Sequence, residues 1–371
     1  MAFGLSSKNR TSPIAVDFGS DTLKVLQIDS SERTEIIAAG SAVLSDDART
    51  NPAARMAFLE ESLKKILRGL PFRGRRAMLA IPGYQTLIHN FTMDRCDDED
   101  IDAMVDLQLQ ERLGVQAARM VTRNTKTADH HRGGSEKTDV SCLAAKRDLV
   151  MSYLQLAGRC RLEVVGMHPE PIALIRALSD RDAGVPAAAV DDRSVALRGT
   201  RSGPSPARLV LDFAHATSRV LILEGETLRL ARTIHAGGLH LTRQRTRESG
   251  ESFLAARTKR RAEAAAEPGD TPLSCRVAEL LIEELRMTLR HHHARHPASP
   301  VTRVLVCGGE AASEPRLRAL GAALSLPVSR FDPLAGAAAG PGPSALSGVD
   351  LAAGTGGWAV PWGLCHSELN L

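Results

Sequence analysis

Short apolar runs closed by glycine alternate along the chain with stretches of helical periodicity, the pattern of an α/β protein. Ile14 to Gly19 reads as a buried strand, and Leu23 to Ile28 returns after a short turn, so the two predict a β-hairpin. Asn51 to Leu67 carries Met56, Leu59, Leu63, Ile66 and Leu67 at helical spacing, with Pro71 beyond its end. Ala77 to Ile81 predicts a strand closed by Pro82-Gly83. Asp97 to Leu113 predicts an amphipathic helix with Ile101, Met104, Val105 and Leu109 as its apolar stripe. Its acids Asp97, Asp98, Glu99 and Asp100 suit the positive end of a helix dipole and read as a cap rather than a metal site.

Thr127 to Thr138 is polar and Gly-containing and predicts a loop between strands. Val140 to Ala145 predicts a strand, Arg147 to Gly158 a helix, and Leu162 to Met167 a strand. Pro169 to Leu178 predicts a helix with Pro early in its first turn, where it is tolerated. Gly184 to Ala207, rich in Ala, Gly, Pro, Ser and Arg, predicts a linker. Beyond it, Leu209 to Leu223 is a second strand-turn-strand unit. Thr246 to Glu267 and Leu273 to Arg295 predict helices, Val301 to Cys307 a strand, and Pro315 to Ala323 a helix. Ala335 to Gly357 predicts a loop before a final helix.

Composition narrows the class. At 371 residues, with 43% hydrophobic and 24% charged positions, the chain suits a soluble globular protein of two or more lobes. A net charge of +4 from scattered basic residues gives no nucleic-acid footprint. None of the six cysteines forms a C-x-x-C pair, which disfavours a disulfide framework or zinc site and suggests a reducing compartment. Met1 to Pro13 lacks the apolar stretch of a signal peptide, and no run reaches the ~18 apolar residues of a membrane span. Work at a membrane would then need a partner. P-loop, G-x-S-x-G and H-E-x-x-H motifs are missing from the sequence. In the run His291-His292-His293 with His296, only His292 and His296 have a spacing that could share an ion. A solvated helix end stabilised by imidazolium is the preferred reading. Gly354 to Gly357 follows no clear strand and is set aside.

Two hairpins carry the chemistry. Ile14 to Ser20 with Lys24-Val25-Leu26, and Leu209 to His215 with Val220-Leu221-Ile222, each end an apolar strand on Asp, turn through small residues and return. Such turns present backbone N–H groups to phosphate oxygens. A carboxylate at the strand end, Asp17 or Asp212, can hold a hydrated Mg²⁺. Val304 to Glu310 is an apolar strand running into Gly308-Gly309 before a helix, where backbone can pass close to a flat ligand.

The trio resembles the phosphate-1, phosphate-2 and adenosine motifs of the actin and hexokinase superfamily. Asp17-Phe18-Gly19-Ser20 with Lys24 is similar to the opening signature of the PilM family of type IV pilus assembly. Ala80-Ile81-Pro82-Gly83, Val140 to Gly158, Pro169-Glu170-Pro171, Gly237-Gly238 with Thr242, and Thr258-Lys259 also resemble that family, as does a weaker tail at Val360 to Leu364. The likeness runs from Pro13 to Arg330. Ala214 departs from the family's glycine in the second turn, where a methyl group crowds the phosphate or needs another backbone angle. The segment between Gly238 and Leu273 is short.

The resemblance implies an α/β, two-lobed, actin-like (ribonuclease H-like) fold with a small inserted α+β subdomain. It implies a first lobe over 13–83 and 159–207, the insert over 84–158, a second lobe over 208–335 and a return over 336–371. It implies ATP with Mg²⁺ organised by Asp17 and Asp212. Gly19, Ser20, Lys24 and Thr217 serve the phosphates, Gly237 and Gly238 the ribose side, and Lys259, Gly308 and Gly309 the adenosine. Glu170 stands where related ATPases polarise the attacking water, and it also reads as a helix N-terminal carboxylate. The implied function is an ATP-binding scaffold on the cytoplasmic side of the inner membrane. It captures the N-terminal tail of a PilN-like membrane protein, meets a PilO-like protein through that complex, and hydrolyses slowly or not at all. A sugar-kinase-like phosphotransferase, an FtsA-like division protein and a nucleotide-free GspL-like scaffold are the competing readings.

Overall fold

The computed structural model describes residues 11–29, 34–182, 206–266, 276–311, 313–335, 337–339, 345–349 and 355–367. The linker expected up to Ala207 lies outside them except at its end, as do Cys275 and the start expected for the helix at Leu273.

Strands β1 (Ile14–Phe18) and β2 (Thr22–Asp29) form the first hairpin, continued by β3 (Glu35–Val43). Helices α1 (Asp46–Thr50) and α2 (Pro52–Gly69) follow, the second capped by the Asn51 side chain on the Ala53 and Ala54 N–H groups. Strand β4 (Arg76–Ile81) then pairs parallel with β1. Next come β5 (Leu87–Asp94), α3 (Ile101–Leu113), β6 (Met120–Arg132), β7 (Ser135–Lys146), α4 (Arg147–Arg159), β8 (Glu163–Pro169) and α5 (Glu170–Asp182). The second half holds β9 (Ala207–Phe213), β10 (Ser218–Glu224), β11 (Thr227–Ile234), α6 (Gly238–Ser249), α7 (Phe253–Ala266), α8 (Arg276–Arg295), β12 (Val301–Cys307), α9 (Glu314–Leu324) and β13 (Val328–Arg330). The chain then returns through β14 (Ala338–Ala339), β15 (Leu346–Ser347) and α10 (Ala359–Cys365).

One fold plan is used twice. The first sheet runs β3-β2-β1-β4-β8 and the second β11-β10-β9-β12-β13, with antiparallel pairing on one side of the central strand and parallel pairing on the other. Strands β14 and β15 extend the first sheet beyond β3. Central strands β1 and β9 are buried on both faces, which is why they read as continuous apolar runs. A shared core joins both sheets around α5 and α10, with Met78, Leu174, Val210, Leu305, Trp358 and Trp362 among its members. Helix α10 is thus spent on packing and presents no free apolar face of the kind an FtsA-like membrane helix would need.

Three expectations change. Thr127 to Thr138 is no loop. It lies across β6 and β7, which turn tightly through Gly133 and Gly134 at φ 61° and 82°. Thr127 and Thr138 at its ends are buried, and the polar residues between them sit on a hairpin whose order comes from register with β7, so composition misreads it. The helix expected over Thr246 to Glu267 is two, α6 and α7, because Gly250 caps α6 in the left-handed conformation at φ 70°. The insert expected to end at Gly158 also gives up α4. Tyr153, Leu156 and Ala157 pack in the first-lobe core with Phe18 and Leu63, whereas the insert has its own core of Phe91, Val105, Leu109, Val140 and Cys142.

Candidate functional site

The turns after β1 and β9 face each other across a cleft. Each central strand ends in a buried carboxylate, and register places a cation opposite it: Lys24 faces Asp17 and Arg219 faces Asp212. Asp17, Gly19, Ser20, Lys24, Glu170, Asp212, Ala214, Thr217, Gly308 and Gly309 all line the cleft. The two turns touch, because the Ala216 N–H donates to Ser20 Oγ at 3.2 Å. Arg55, reaching in from α2, donates to the carbonyls of Phe18 and Gly19 at 3.2 and 2.7 Å and fixes the first turn. Ala214 needs no left-handed backbone, since Arg161 and Ser325 are the non-glycine residues with positive φ among those described. The second turn therefore accepts the alanine.

Gly308 is held to glycine by geometry. Its φ is +93°, and a Cβ there would sit 2.4 Å from the Phe213 carbonyl oxygen and 2.5 Å from Asp212 Oδ1. Its N–H donates to the Gly356 carbonyl at 3.0 Å, and Gly357 packs on Gly309. The stretch Gly354 to Gly357, set aside on sequence, thus includes two glycines that lie against the double glycine.

Arg219 occupies the centre. It pairs with Glu170 at 2.6 Å and with Asp212, and a Cβ on Gly83 would meet its guanidinium. Lys24 reaches Asp17 at 3.4 Å. Burial pushes Glu170 up to about 7, opposed by Arg219 and reinforced by Asp17 and Asp212. Burial likewise raises Asp17, against Lys24 and Arg219.

A second charged cluster bridges the lobes. Asp21 lies beside the first turn and is 3% exposed. It receives Arg257 Nε at 3.0 Å on both oxygens, Arg49 Nη2 at 3.0 Å, and lies 3.4 Å from Arg261 Nη2. Burial pulls His215 down to about 4, so it is neutral at neutral pH and the arginines supply the attraction. Arg260 and Arg261 from α7 hold buried Glu310, and these charges overcome burial and keep its carboxyl low. Sequence reasoning assigned no role to Asp21, Arg219, Arg257, Arg261 or Glu310.

Other expected residues fall outside the cleft. Lys259 is exposed and pairs with Glu251, while its neighbours Arg260 and Arg261 reach buried Glu310. Gly237 and Gly238 lie behind the second turn, where the Gly238 N–H donates to the Ala214 carbonyl and a Cβ would strike Glu310. They shape the turn from outside. His292 is buried, its Nε2 lies 2.9 Å from the Ser299 carbonyl, and burial lowers both His292 and His296, the latter to about 4. That corrects the solvated imidazolium end expected there.

The residues fit a phosphate-bearing ligand in part. Asp17 Oδ1 and Thr217 Oγ1 are buried without a hydrogen-bond partner among the described residues. The cleft encloses about 90 Å³, against roughly 300–1,000 Å³ for small-molecule sites, so a whole nucleotide enters only if the lobes part. Mg²⁺ at Asp17 and Asp212 does not fit. Both carboxylates already hold a protein cation, Lys24 on one oxygen of Asp17 and Arg219 on one oxygen of Asp212.

Two sheets of one strand order, facing each other across paired Asp-ended hairpins, define a two-lobed actin-like fold. A sequence model of the type IV pilus assembly protein PilM family matches residues 15–347, and the chain belongs to that family. A solved PilM–PilN type IV pilus biogenesis complex is similar at 18% identity and a TM-score of 0.70, covering 96% of this chain and 98% of that one. The ethanolamine utilization protein EutJ from Carboxydothermus hydrogenoformans is similar at 15% identity and a TM-score of 0.51, covering 96% and 89%. No curated protein sequence matches the chain.

Proposed function

We propose that this chain is an actin-like scaffold of type IV pilus assembly, held at the cytoplasmic face of the inner membrane by a PilN-like protein whose N-terminal tail it captures. No helix among the described residues is long and apolar enough to cross a membrane, which fits attachment through that partner. A PilO-like protein is reached through the same complex. ATP acts as a conformational ligand, with slow hydrolysis or none, because Glu170 is held by Arg219 rather than aimed at a water.

One observation carries the reading. The insert is rooted in the first lobe yet bonded to the second. Asn90 donates to the Ala231 carbonyl at 2.9 Å, Arg229 to the Thr127 carbonyl at 2.5 Å, and Arg295 to Asp139 at 3.0 Å. A ligand that parts the lobes must therefore move the insert or break these bonds, which couples the cleft to a peptide groove beside the insert. Such couplings run to about 1–3 kcal/mol, or roughly 5–150-fold in affinity. The test is fluorescence anisotropy of a labelled PilN-like tail from the same organism, with and without ATP. Affinity is expected to change with ATP in the wild type and to lose that dependence in Arg295→Ala. A tail that fails to bind with ATP present sinks the proposal.

A further inference from the structure

The two hairpins carry the same device. Each places a basic residue on its return strand, seven positions after the strand-end Asp: Lys24 on Asp17, and Arg219 on Asp212. Lys24 keeps one foot in solvent, with 19% of its side chain exposed, but the Arg219 side chain is 5% exposed and has carboxylates on two sides. Arg219 comes from the second lobe and Glu170 from the first, so one guanidinium neutralises acids from both. A divalent ion in this place would need the carboxylate oxygens that Arg219 already holds, plus room for the waters Mg²⁺ keeps. A guanidinium differs in three ways. It is tethered, it is planar with several donors, and it stays charged at every physiological pH.

We propose that Arg219 is the resident cation of the cleft: it replaces a divalent metal between Asp212 and Glu170, and any phosphate ligand that enters is met by its guanidinium and by Lys24, with no metal carried in. The phosphate clause rests on the nucleotide reading above; the metal clause does not. A buried arginine removed from such a place leaves its carboxylates uncompensated, which is the condition for a cation site to appear.

The experiment measures Mn²⁺ by electron paramagnetic resonance, adding it to the full chain in the absence of nucleotide. The wild type is expected to leave the free-ion signal unchanged. Arg219→Ser is expected to remove signal equimolar to the protein, and Asp212→Asn added to that variant is expected to restore it. Arg219→Gln keeps more of the side chain's volume without its charge and takes the place of Arg219→Ser if that variant does not fold. Equimolar Mn²⁺ uptake by the wild type that Asp17→Asn abolishes overturns the proposal. So does a folded Arg219 variant that takes up none. ATP titrated into the wild type in EDTA and in Mg²⁺ tests the remaining clause, with equal affinity expected. Binding that appears only with Mg²⁺ overturns that clause, whereas binding under neither condition ends the nucleotide reading and leaves the metal result standing.

Discussion

Asp21→Ala is expected to destabilise the protein by about 3–5 kcal/mol, the usual cost of removing one partner from a buried ion cluster. The carboxylate is 4% exposed, and the Arg257 and Arg49 side chains on it are 7% and 8% exposed. Without Asp21, the buried Arg257 guanidinium loses the carboxylate that holds it, and Arg49 keeps only Asp46, at 2.6 Å. Arg257 is already lowered by burial, so it has little hydration to fall back on. Because Arg257 belongs to α7 and Asp21 to the first hairpin, the loss falls at the junction of the lobes. Urea denaturation followed by tryptophan fluorescence measures it; a midpoint unchanged from wild type would mean that the arginines find other partners.

The same residue sets an acid limit. Burial alone would raise Asp21, but the charges beside it win and hold its carboxyl far below the ordinary range. A carboxyl depressed in the folded state contributes stability that is complete above its unfolded value of about 3.9 and disappears as pH falls below it. Glu170 works in the opposite direction. Raised to about 7, its proton is held in the folded state, so its contribution is complete below roughly 4.3 and disappears as pH rises through 7. Asp21→Asn should therefore flatten the acid limb of a melting-temperature profile, and Glu170→Gln the limb between about pH 4 and 7.

The parts of this molecule that were legible in sequence are those made of local pattern. Strands β1 and β9 are buried runs closed by turn residues, β4 and β12 are buried toward the ends that meet their turns, and the Asp17 and Asp212 turns repeat one another closely enough to suggest two similar lobes. Arg219 could have been found the same way, since it holds the place after Asp212 that Lys24 holds after Asp17. Asp21 could not. Its main partner, Arg257, is 236 positions away on a helix whose own apolar pattern is weak. The resemblance points to Lys259, and only the rotation of α7 about its axis separates this exposed residue from Arg260 and Arg261, which reach buried acids. Helix phase depends on packing against α6, which one sequence does not display.

Gly363→Ala tests the return of the chain onto the first lobe, and the expected effect has a sign that propensity alone would get wrong. In an exposed helix interior, Ala replacing Gly stabilises by about 0.8–1 kcal/mol. At Gly363 a Cβ would stand 1.7 Å from the Ala173 carbonyl oxygen and 3.0 Å from the Ala177 nitrogen. These are backbone atoms of α5, so no rotamer change relieves the contact. Ala173 and Ala177 are fully buried, and the small residues on both sides let the two helices approach this closely. The helices must separate, and that opens the core around Trp362, the largest fully buried side chain among the described residues. Overpacking of this kind costs 1–3 kcal/mol in ordinary cores and more where backbone must move, so a loss of at least about 3 kcal/mol is expected. Gly158→Ala in α4 is the matched control, since a Cβ there meets nothing within 4 Å. It should gain a few tenths to about 1 kcal/mol. If both variants were stabilised alike, α10 would not lie on α5 as described, and the shared core that joins the lobes would lose its keystone.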